Sequence, residues 1–543
     1  MRKIIEFFVR NPLFSDLLTV FVIGVGIVSA FLIRREAFPV ITFDIVQVTA
    51  LWPGSSSADI EKLITNPIEQ DLQEVDGIDK LQSTSIENMS VVAIFLDPDE
   101  TTDKEGKDDV QDVIDKLEDY PTEAEKPNVF LLDSSRAPII EVTIASDDLT
   151  DLELREKARD LEKEIERIPG VAKVVHKGLR DLEVRVEISP QRLSHYRLSL
   201  QEVVSALSQQ NVSIPGGIIE PKDLNSPERL VRTVGEFNNL DDIRNTVIRA
   251  NDLGRPIEVK DVAKVYYDLE KAEVVHRTNG KKSLSLTILK QEFADAINVV
   301  DAVKDKMETL HGGLLSGLDV ASINDMSEYV RRRLGVLTGN MAIGLSLILL
   351  FLPILVPFRF ALVISLGLPM AFLGTVFILY NTGVSINLLT MMGLIIVSGI
   401  LVDDSIVVTE NAARLVDEGK SPRDAAIEGT AQIAPALVAS VMTTAFAFLP
   451  MMFMSGIMGK FIKFIPLAIL IALMISLFEA FFILPSHVAN WIRFSKDGSH
   501  KPGFMDRFYG PIRKNWDDFL IPRYMKLIRK AVEHRYWILA GAF

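Results

Sequence analysis

Two adjacent carboxylates, Asp403 and Asp404, stand inside an apolar run that reads Gly393-Leu394-Ile395-Ile396-Val397-Ser398-Gly399-Ile400-Leu401-Val402-Asp403-Asp404-Ser405-Ile406-Val407-Val408-Thr409-Glu410-Asn411. An Asp near the centre of a bilayer span costs about 2.5–3.5 kcal/mol on insertion scales, and adjacent ones repel. Such a pair persists where it faces other helices or water and where at least one member takes up a proton. Lost hydration and a neighbouring like charge both favour the neutral carboxyl, so these residue types at this spacing point to a proton relay. The alternative is a buried Asp hydrogen-bonded to neighbouring helices to fix their packing. Successive helical residues point ~100° apart, so the two carboxyls do not share one partner geometry. One is expected to carry the proton and the other to orient it, and the sequence does not say which.

A third carboxylate, Glu479, interrupts the apolar stretch Ser476-Leu477-Phe478-Glu479-Ala480-Phe481-Phe482 six residues before Pro485. Three roles are open to it: a second proton group, a lipid-facing residue near the interface, or a packing ligand. Other chemistry is poorly supplied. The seven histidines, His176, His195, His276, His311, His487, His500 and His534, form no i,i+4 pair, and there is no Cys. Neither a bound metal nor a disulfide framework is therefore expected. No G-x-x-x-x-G-K-[ST] loop appears, so ATP is not the expected energy source. No Ser/His/Asp arrangement reads as a hydrolase. The expectation is a protein that is not an enzyme, needs no cofactor, and draws on the proton-motive force.

The elements that must hold these carboxylates are membrane spans. The chain is 48% hydrophobic yet 24% charged, which fits a chain split between bilayer and water. The first apolar run, Leu13 to Ile33, with Asp16 near its start, is long enough to cross ~30 Å of hydrocarbon. A cleaved signal peptide is the competing reading of that run, from Arg2, Lys3 and Arg10 ahead of it, but the run is too long and Arg34-Arg35-Glu36 is a poor cleavage site. Five more runs follow at roughly 336–357, 360–380, 386–411, 432–454 and 462–485, and a seventh opens at Tyr536-Trp537-Ile538. Eight residues do not cross a bilayer, so the chain reads as the first half of a longer one. Basic residues at the N-terminus, in 412–431 and in 489–534 share one side if the spans alternate, which makes that side cytoplasmic. Arg34-Arg35, Arg331-Arg332-Arg333, Lys460 and Lys463 disagree. Within 489–534, the stretch 506–530, interrupted by Pro511 and Pro522, carries Phe508, Tyr509, Ile512 and Trp516 at roughly helical spacing and reads as an interfacial amphipathic segment.

Between the first two spans lies a large block. Residues 34–333 hold 38 Lys and Arg against 58 Asp and Glu, an acidic lobe that repels phosphate and disfavours nucleic-acid partners. The block repeats itself. A strand at Asp44–Ala50, a helix at Ala58–Glu74, the turn Val75-Asp76-Gly77-Ile78 and strands at Lys80–Ser85 and Ser90–Leu96 are echoed later. The echo is a strand at Ile139–Ile144, a helix at Leu152–Arg167, the turn Ile168-Pro169-Gly170-Val171, and strands at Ala172–His176 and Leu182–Ile188. Strand, helix, turn and two strands, used twice, suggest a ferredoxin-like plan. A third unit, with a helix at Leu200–Gln210, the turn Ile214-Pro215-Gly216-Gly217 and strand-like Leu230–Glu236 and Ile257–Asp268, is expected as an insertion in the second. The strand Ser283–Lys290 and the helix Ala294–Leu310 then resume the second unit.

The run Ser385-Ile386-Asn387-Leu388-Leu389-Thr390 through Asn411 resembles the fourth-span signature of resistance–nodulation–division (RND) efflux permeases, hydrophobe/amphiphile branch. Phe38-Pro39, Thr49-Ala50-Leu51-Trp52-Pro53-Gly54-Ser55-Ser56-Ser57-Ala58-Asp59-Ile60-Glu61, Asn66-Pro67-Ile68-Glu69 and Val75-Asp76-Gly77-Ile78 are similar too. So are Gln210-Asn211-Val212 with Pro215-Gly216-Gly217, and Gly429–Pro450. The resemblance runs in order along nearly the whole chain, as the N-terminal half of an inner-membrane permease. It implies an α-helical membrane bundle with an external α+β region. Its divisions would be 1–33 (N-terminal segment and first span), 34–134 (first porter subdomain), 135–180 with 274–333 (second porter subdomain), 181–273 (docking subdomain), 334–488 (spans two to six), 489–534 (cytoplasmic segment) and 535–543 (start of a seventh span).

It further implies a homotrimer in the bacterial inner membrane, working with a periplasmic membrane-fusion adaptor and an outer-membrane channel, that exports amphiphilic small molecules (drugs, detergents, lipids) from periplasm or bilayer. Asp403 and Asp404 would carry protons toward Lys and Arg partners on spans of the second half, so that this half does not pump by itself. Aromatic residues that line the cargo pocket of multidrug members are missing from the corresponding stretches, Ser134-Ser135-Arg136-Ala137-Pro138 and Val175-His176-Lys177-Gly178, which counts against lipophilic multidrug export. Two rivals remain at this stage: heavy-metal cation export, for which Met451-Met452-Phe453-Met454 is a weak hint because Met in a span is more often packing filler, and a helper in lipid or protein export.

Overall fold

The computed structural model describes residues 1–117, 120–134, 137–219, 229–250, 256–272, 274–356, 358–491 and 504–542. Six of its helices are long and apolar enough to cross a bilayer. The first span, Pro12–Leu32, begins with Pro at its first turn, where the missing N–H costs nothing. The second, Met326–Leu355, and third, Phe358–Asn381, follow the large block. The third is the most buried and packs against the first, second, fourth and sixth. An amphipathic helix, Arg2–Arg10, precedes the first span and buries Ile5 and Val9 against the fifth and sixth.

The fourth span departs from the unbroken helix expected over 386–411. Leu388–Ser398 and Leu401–Asp417 are separate helices joined at Gly399-Ile400. The chain tightens there, with Ile400 N donating to Val397 O and Asp403 N to Ile400 O. Glycine, which loses the most backbone freedom in a helix, supplies the weak point. The fifth span begins at Pro422, about ten residues before the apolar run, and continues to Phe448 with a 3₁₀ turn at Leu449–Phe453. Its early turns are buried through Ala425, Ala426 and Gly429 rather than large apolar side chains, so hydropathy does not register them. The sixth span, Gly456–Asn490, contains a π-helical turn at Glu479–Ile483.

The external block holds two sheets that share one four-strand order, the second with a short fifth strand beside it. Strands β1 (Thr42–Leu51), β2 (Ile78–Ile86), β3 (Met89–Leu96) and β4 (Asn128–Asp133) lie as β2-β3-β1-β4, antiparallel throughout. In the second sheet, β5 (Pro138–Ala145) and β6 (Val171–Lys177) sit with two strands from much later in the chain. The inserted unit contributes β7 (Leu182–Ile188), β8 (Ser213–Ile219), β9 (Arg229–Val234), β10 (Val247–Arg249), β11 (Ile257–Glu258) and β12 (Ala263–Leu269). A short β13 (Arg277–Thr278) then leads to β14 (Lys281–Lys290) and β15 (Asp319–Ile323), and the order is β6-β14-β5-β15. Each β-helix-β passage is capped by its own sequence, as in the capping box Thr150/Glu153 that opens the helix Asp151–Glu166.

Two expectations are corrected. Leu182–Ile188 is not the third strand of the second sheet: it pairs with β12 inside the inserted unit, and β14 takes its place beside β6. Local alternation identified the strand, but pairing is decided by a partner about eighty residues away. The helix Asp103–Asp115 in the first unit was also not anticipated, because it is mostly charged and buries only Gly106, Val110 and Ile114.

The block and the bundle are tied at several points. Residues 34–37 run beside 385–388, with Glu36 N donating to Ile386 O, Ile386 N to Arg34 O and Leu388 N to Ala37 O. Glu36 is buried and accepts from Lys290 Nζ at 2.7 Å, while Arg35 makes a two-pronged contact with Asp295. Lys460 pairs with Asp44, a residue held at φ +55° where β1 is bulged. Burial pushes the Asp44 carboxyl up; the Lys460 bond works against that and the neighbouring Asp103 adds to it. Asp325 caps the second span through Ser327 N at 2.8 Å and receives Lys304.

Removing one member of the buried Glu36–Lys290 pair leaves an uncompensated charge. Lys290→Met is expected to lower stability by about 3–5 kcal/mol, with the double variant Glu36→Leu/Lys290→Met recovering most of it. Thermal unfolding in detergent of the three proteins checks this. Burial raises the Asp325 carboxyl, but Lys304 and Ser327 outweigh it and hold it below its ordinary value. A lowered folded-state value means that its stabilisation is complete above the unfolded value of about 3.9 and is lost as pH falls through the folded one. Asp325→Ala should therefore cost about 0.5–2 kcal/mol at neutral pH, and its gap from wild type should close below pH ~4.

The intramembrane carboxylates

The break at Gly399-Ile400 places Asp403 and Asp404 in the first turn of the helix Leu401–Asp417. The positive end of that helix's dipole lies there, which favours negative charge. The two carboxylates then part company. Asp404 is 6% exposed and turns inward, whereas Asp403 is on an exposed face of this chain. Ser476 of the sixth span reaches Asp404: its Oγ lies 3.2 Å from Asp404 Oδ2 and 3.1 Å from Leu401 O. One hydroxyl proton thus serves two acceptors.

Glu479 is 3% exposed and faces the same interface. Ser405, the residue after Asp404, donates to Glu479 Oε2 at 2.9 Å. The lipid-facing reading of Glu479 is therefore wrong: the side chain is enclosed by the third, fourth and sixth spans. Gly367 of the third span makes the enclosure possible. A Cβ there would lie 3.0 Å from Ser405 Oγ and 3.2 Å from Glu479 Oε2. Asp404–Ser476 and Ser405–Glu479 are two rungs between the same pair of helices, and the apolar floor around them includes Leu401, Leu473 and Ala480.

The sequence reading singled out Asp403, Asp404 and Glu479, and the structure brings Asp404 and Glu479 together while leaving Asp403 apart. It missed Ser405, Ser476 and Gly367. Ser476 carries a signal in hindsight, since it lies three residues before Glu479 and so on one helix face with it. A second buried polar group was missed as well. His487, 2% exposed in the sixth span, has Nε2 3.2 Å from Asp16 Oδ1 and 3.4 Å from Thr19 Oγ1 of the first span.

The other flagged stretches lie elsewhere. His176 and Lys177 are on β6, where His176 stands 3.8 Å from Glu162 and Lys177 pairs with Glu141. Ser135 and Arg136 fall outside the described residues. Met451, Met452 and Phe453 belong to the 3₁₀ turn that ends the fifth span. Among the described residues, no group of three or more His, Cys, Asp or Glu could hold a metal ion.

The chain is 25% identical over 548 residues to the multidrug resistance protein MdtC of Proteus mirabilis, covering 99% of this chain and 52% of that one. It is 27% identical over 503 residues to MdtC of Escherichia coli O139:H28 (92% and 49%) and 28% identical over 467 residues to MdtC of Erwinia tasmaniensis (85% and 45%). The chain spans about half the length of these curated relatives. The profile of the AcrB/AcrD/AcrF family matches residues 4–543, and the chain is a multi-pass membrane protein that belongs to that family of RND permeases.

Proposed function

We propose that this chain is the N-terminal half of a proton-driven efflux permease that exports amphiphilic organic molecules. The observation that carries the reading is the pair of rungs at the fourth–sixth span interface: a buried Asp404 reached by Ser476, and a buried Glu479 reached by Ser405. A carboxylate in hydrocarbon is costly unless it is satisfied or protonated, and neutral-versus-charged occupancy changes what these serines hold. Asp404 is the proton carrier, Glu479 shares its proton environment, and Asp403, on the exposed face, meets the basic partners that the family's second half supplies. The energy source is the proton-motive force, without a bound cofactor.

The name of the relatives, multidrug resistance protein, supports an organic cargo over metal ions. The twice-used order β2-β3-β1-β4 and β6-β14-β5-β15 supports ferredoxin-like porter subdomains at 34–134 and at 135–180 with 274–333. The inserted 181–273 then serves as the docking unit toward an outer-membrane channel. The basic residues at the N-terminus, 412–431 and 489–534 support a cytoplasmic placement of those segments and a periplasmic block, in a homotrimer of the inner membrane assisted by a periplasmic adaptor.

The test is growth of a pump-deficient strain that expresses the full-length transporter with its adaptor and channel, challenged with dyes, detergents, antibiotics, and copper or silver salts. Asp404→Asn should remove protection against the organic compounds completely. Protection confined to the metals, or equal protection by wild type and Asp404→Asn, contradicts the reading, and protection against neither class with the protein present shifts it to lipid or protein-export cargo. Gly367→Val should leave the protein in the membrane at a cost of about 1–3 kcal/mol from overpacking. It should abolish transport, because the added methyls separate Ser405 from Glu479. Immunodetection alongside the growth assay distinguishes this from loss of the protein.

A further inference from the structure

We infer that His487 and Asp16 form the exit by which protons leave the Asp404–Glu479 cluster toward the cytoplasm, with Thr409 and Ser486 as stations between. This rests on the proton-driven reading and on the sidedness given above. The argument begins with burial. Imidazole and carboxylate groups inside a bilayer bundle are expensive and mark proton or ion paths by default. His487 is 2% exposed, and its Nε2 faces Asp16 Oδ1 and Thr19 Oγ1, whereas the Asp16 side chain keeps 41% of its surface. The pair therefore joins a closed interior to an open edge, at the end of the bundle where the N-terminal helix Arg2–Arg10 packs on the sixth span.

The sixth span then links this pair to the cluster. Glu479 and His487 are eight residues apart, ~12 Å along a helix axis, and in a regular α-helix they would point in different directions. The π-helical turn Glu479–Ile483 absorbs one residue, so that positions eight apart take the relation that positions seven apart have in an undisturbed helix, on one face. Two buried hydroxyls lie on elements that pack together, Thr409 on the fourth span and Ser486 on the sixth. Thr409 lies one turn beyond Ser405, the residue that touches Glu479, and Ser486 precedes His487. Thr409 Oγ1 and Ser486 Oγ are buried and are among the few described side-chain atoms with no hydrogen-bond partner in the protein. Buried orphan hydroxyls are places where water completes the bonding.

The transfer balances without further reactants. The Glu479 carboxyl gives a proton to water held by Thr409 and Ser486. That water passes a proton to one ring nitrogen of His487, which releases the proton on Nε2 to Asp16, and Asp16 hands it to interfacial water. Asp16 Oδ1 lies 3.2 Å from His487 Nε2. Among the charged groups on the other elements at this end, Glu6 pairs with Arg10 on the N-terminal helix, Arg414 with Glu418 after the fourth span, and Lys420 with Glu428 at the start of the fifth, with Arg2 near Glu428. Arg359 opens the third span.

The test uses the full-length transporter in proteoliposomes with an enclosed pH dye, following proton movement on substrate addition. His487→Ala and His487→Gln should each slow it by ~10-fold or more, and added imidazole should restore His487→Ala. Asp16→Asn should slow it likewise. Proton movement by both His487 variants within a factor of about two of wild type, while Asp404→Asn abolishes it, overturns the exit and leaves the proton-driven reading intact. A loss in His487→Ala that imidazole does not restore assigns His487 a packing role and also overturns it. Undiminished movement in Asp404→Asn defeats the proton-driven reading itself.

Discussion

A carboxylate has no place in hydrocarbon unless the protein supplies what water would, and the bundle is arranged around that requirement. Asp404 and Glu479 each receive a serine hydroxyl from the opposing helix, and each serine is adjacent to, or one turn from, the carboxylate on its own strand of the pair. The exchange is reciprocal: the fourth span offers an acid and a hydroxyl, and so does the sixth. Gly367 keeps the third span close enough to exclude lipid from the site. The helix break at Gly399-Ile400 places the acids in the first turn of the helix that follows it. Replacing any one of these leaves the others without a purpose that apolar packing alone would provide.

The same helix break connects the site to the block outside. Leu388–Ser398 is capped by Asn387, whose side chain accepts from Leu389 N and Thr390 N, and the residues just before it run beside 34–37. Those residues in turn carry Glu36, buried against Lys290 at the end of β14. The first half of the fourth span is thus held from above by the second sheet, while its second half carries the acids. That short helix lies between the break at Gly399-Ile400 and the contact with 34–37, and the buried ion pair fixes where block and bundle meet.

Much of this was legible in the residues, and the parts that were not share a cause. All six spans follow from apolar runs of bilayer length, because hydropathy is a local property. The acids are legible because a charge in such a run has few explanations. Pairing is different. That β14, not Leu182–Ile188, lies beside β6 depends on a chain passage of about a hundred residues, and periodicity carries no record of the partner. The polar partners Ser405 and Ser476 look like ordinary small residues of a span until the facing helix is known. The break at Gly399 and the π turn at Glu479 are invisible for a related reason. Each shifts phase by a fraction of a turn, which leaves composition untouched and changes which side chains meet.

Ordinary helix geometry separates Asp403 from Asp404 in direction. Adjacent residues on a helix point ~100° apart, so one of the pair faces the sixth span and the other the surface of this chain. Read as a doubled site, the two acids would repel and one would be redundant. Read from the structure, they belong to two different environments that share a backbone. Asp404 is tied into a closed set of hydroxyls and a second acid, and Asp403 is available to whatever packs on the opposite face. A charge change at one is felt by the other through a single peptide unit, at a distance where Coulomb coupling in a poorly screened interior is strong. Under the proposed relay, adjacency would be the coupling: a protonation event inside the bundle would reach the outer face without any side chain having to cross the helix.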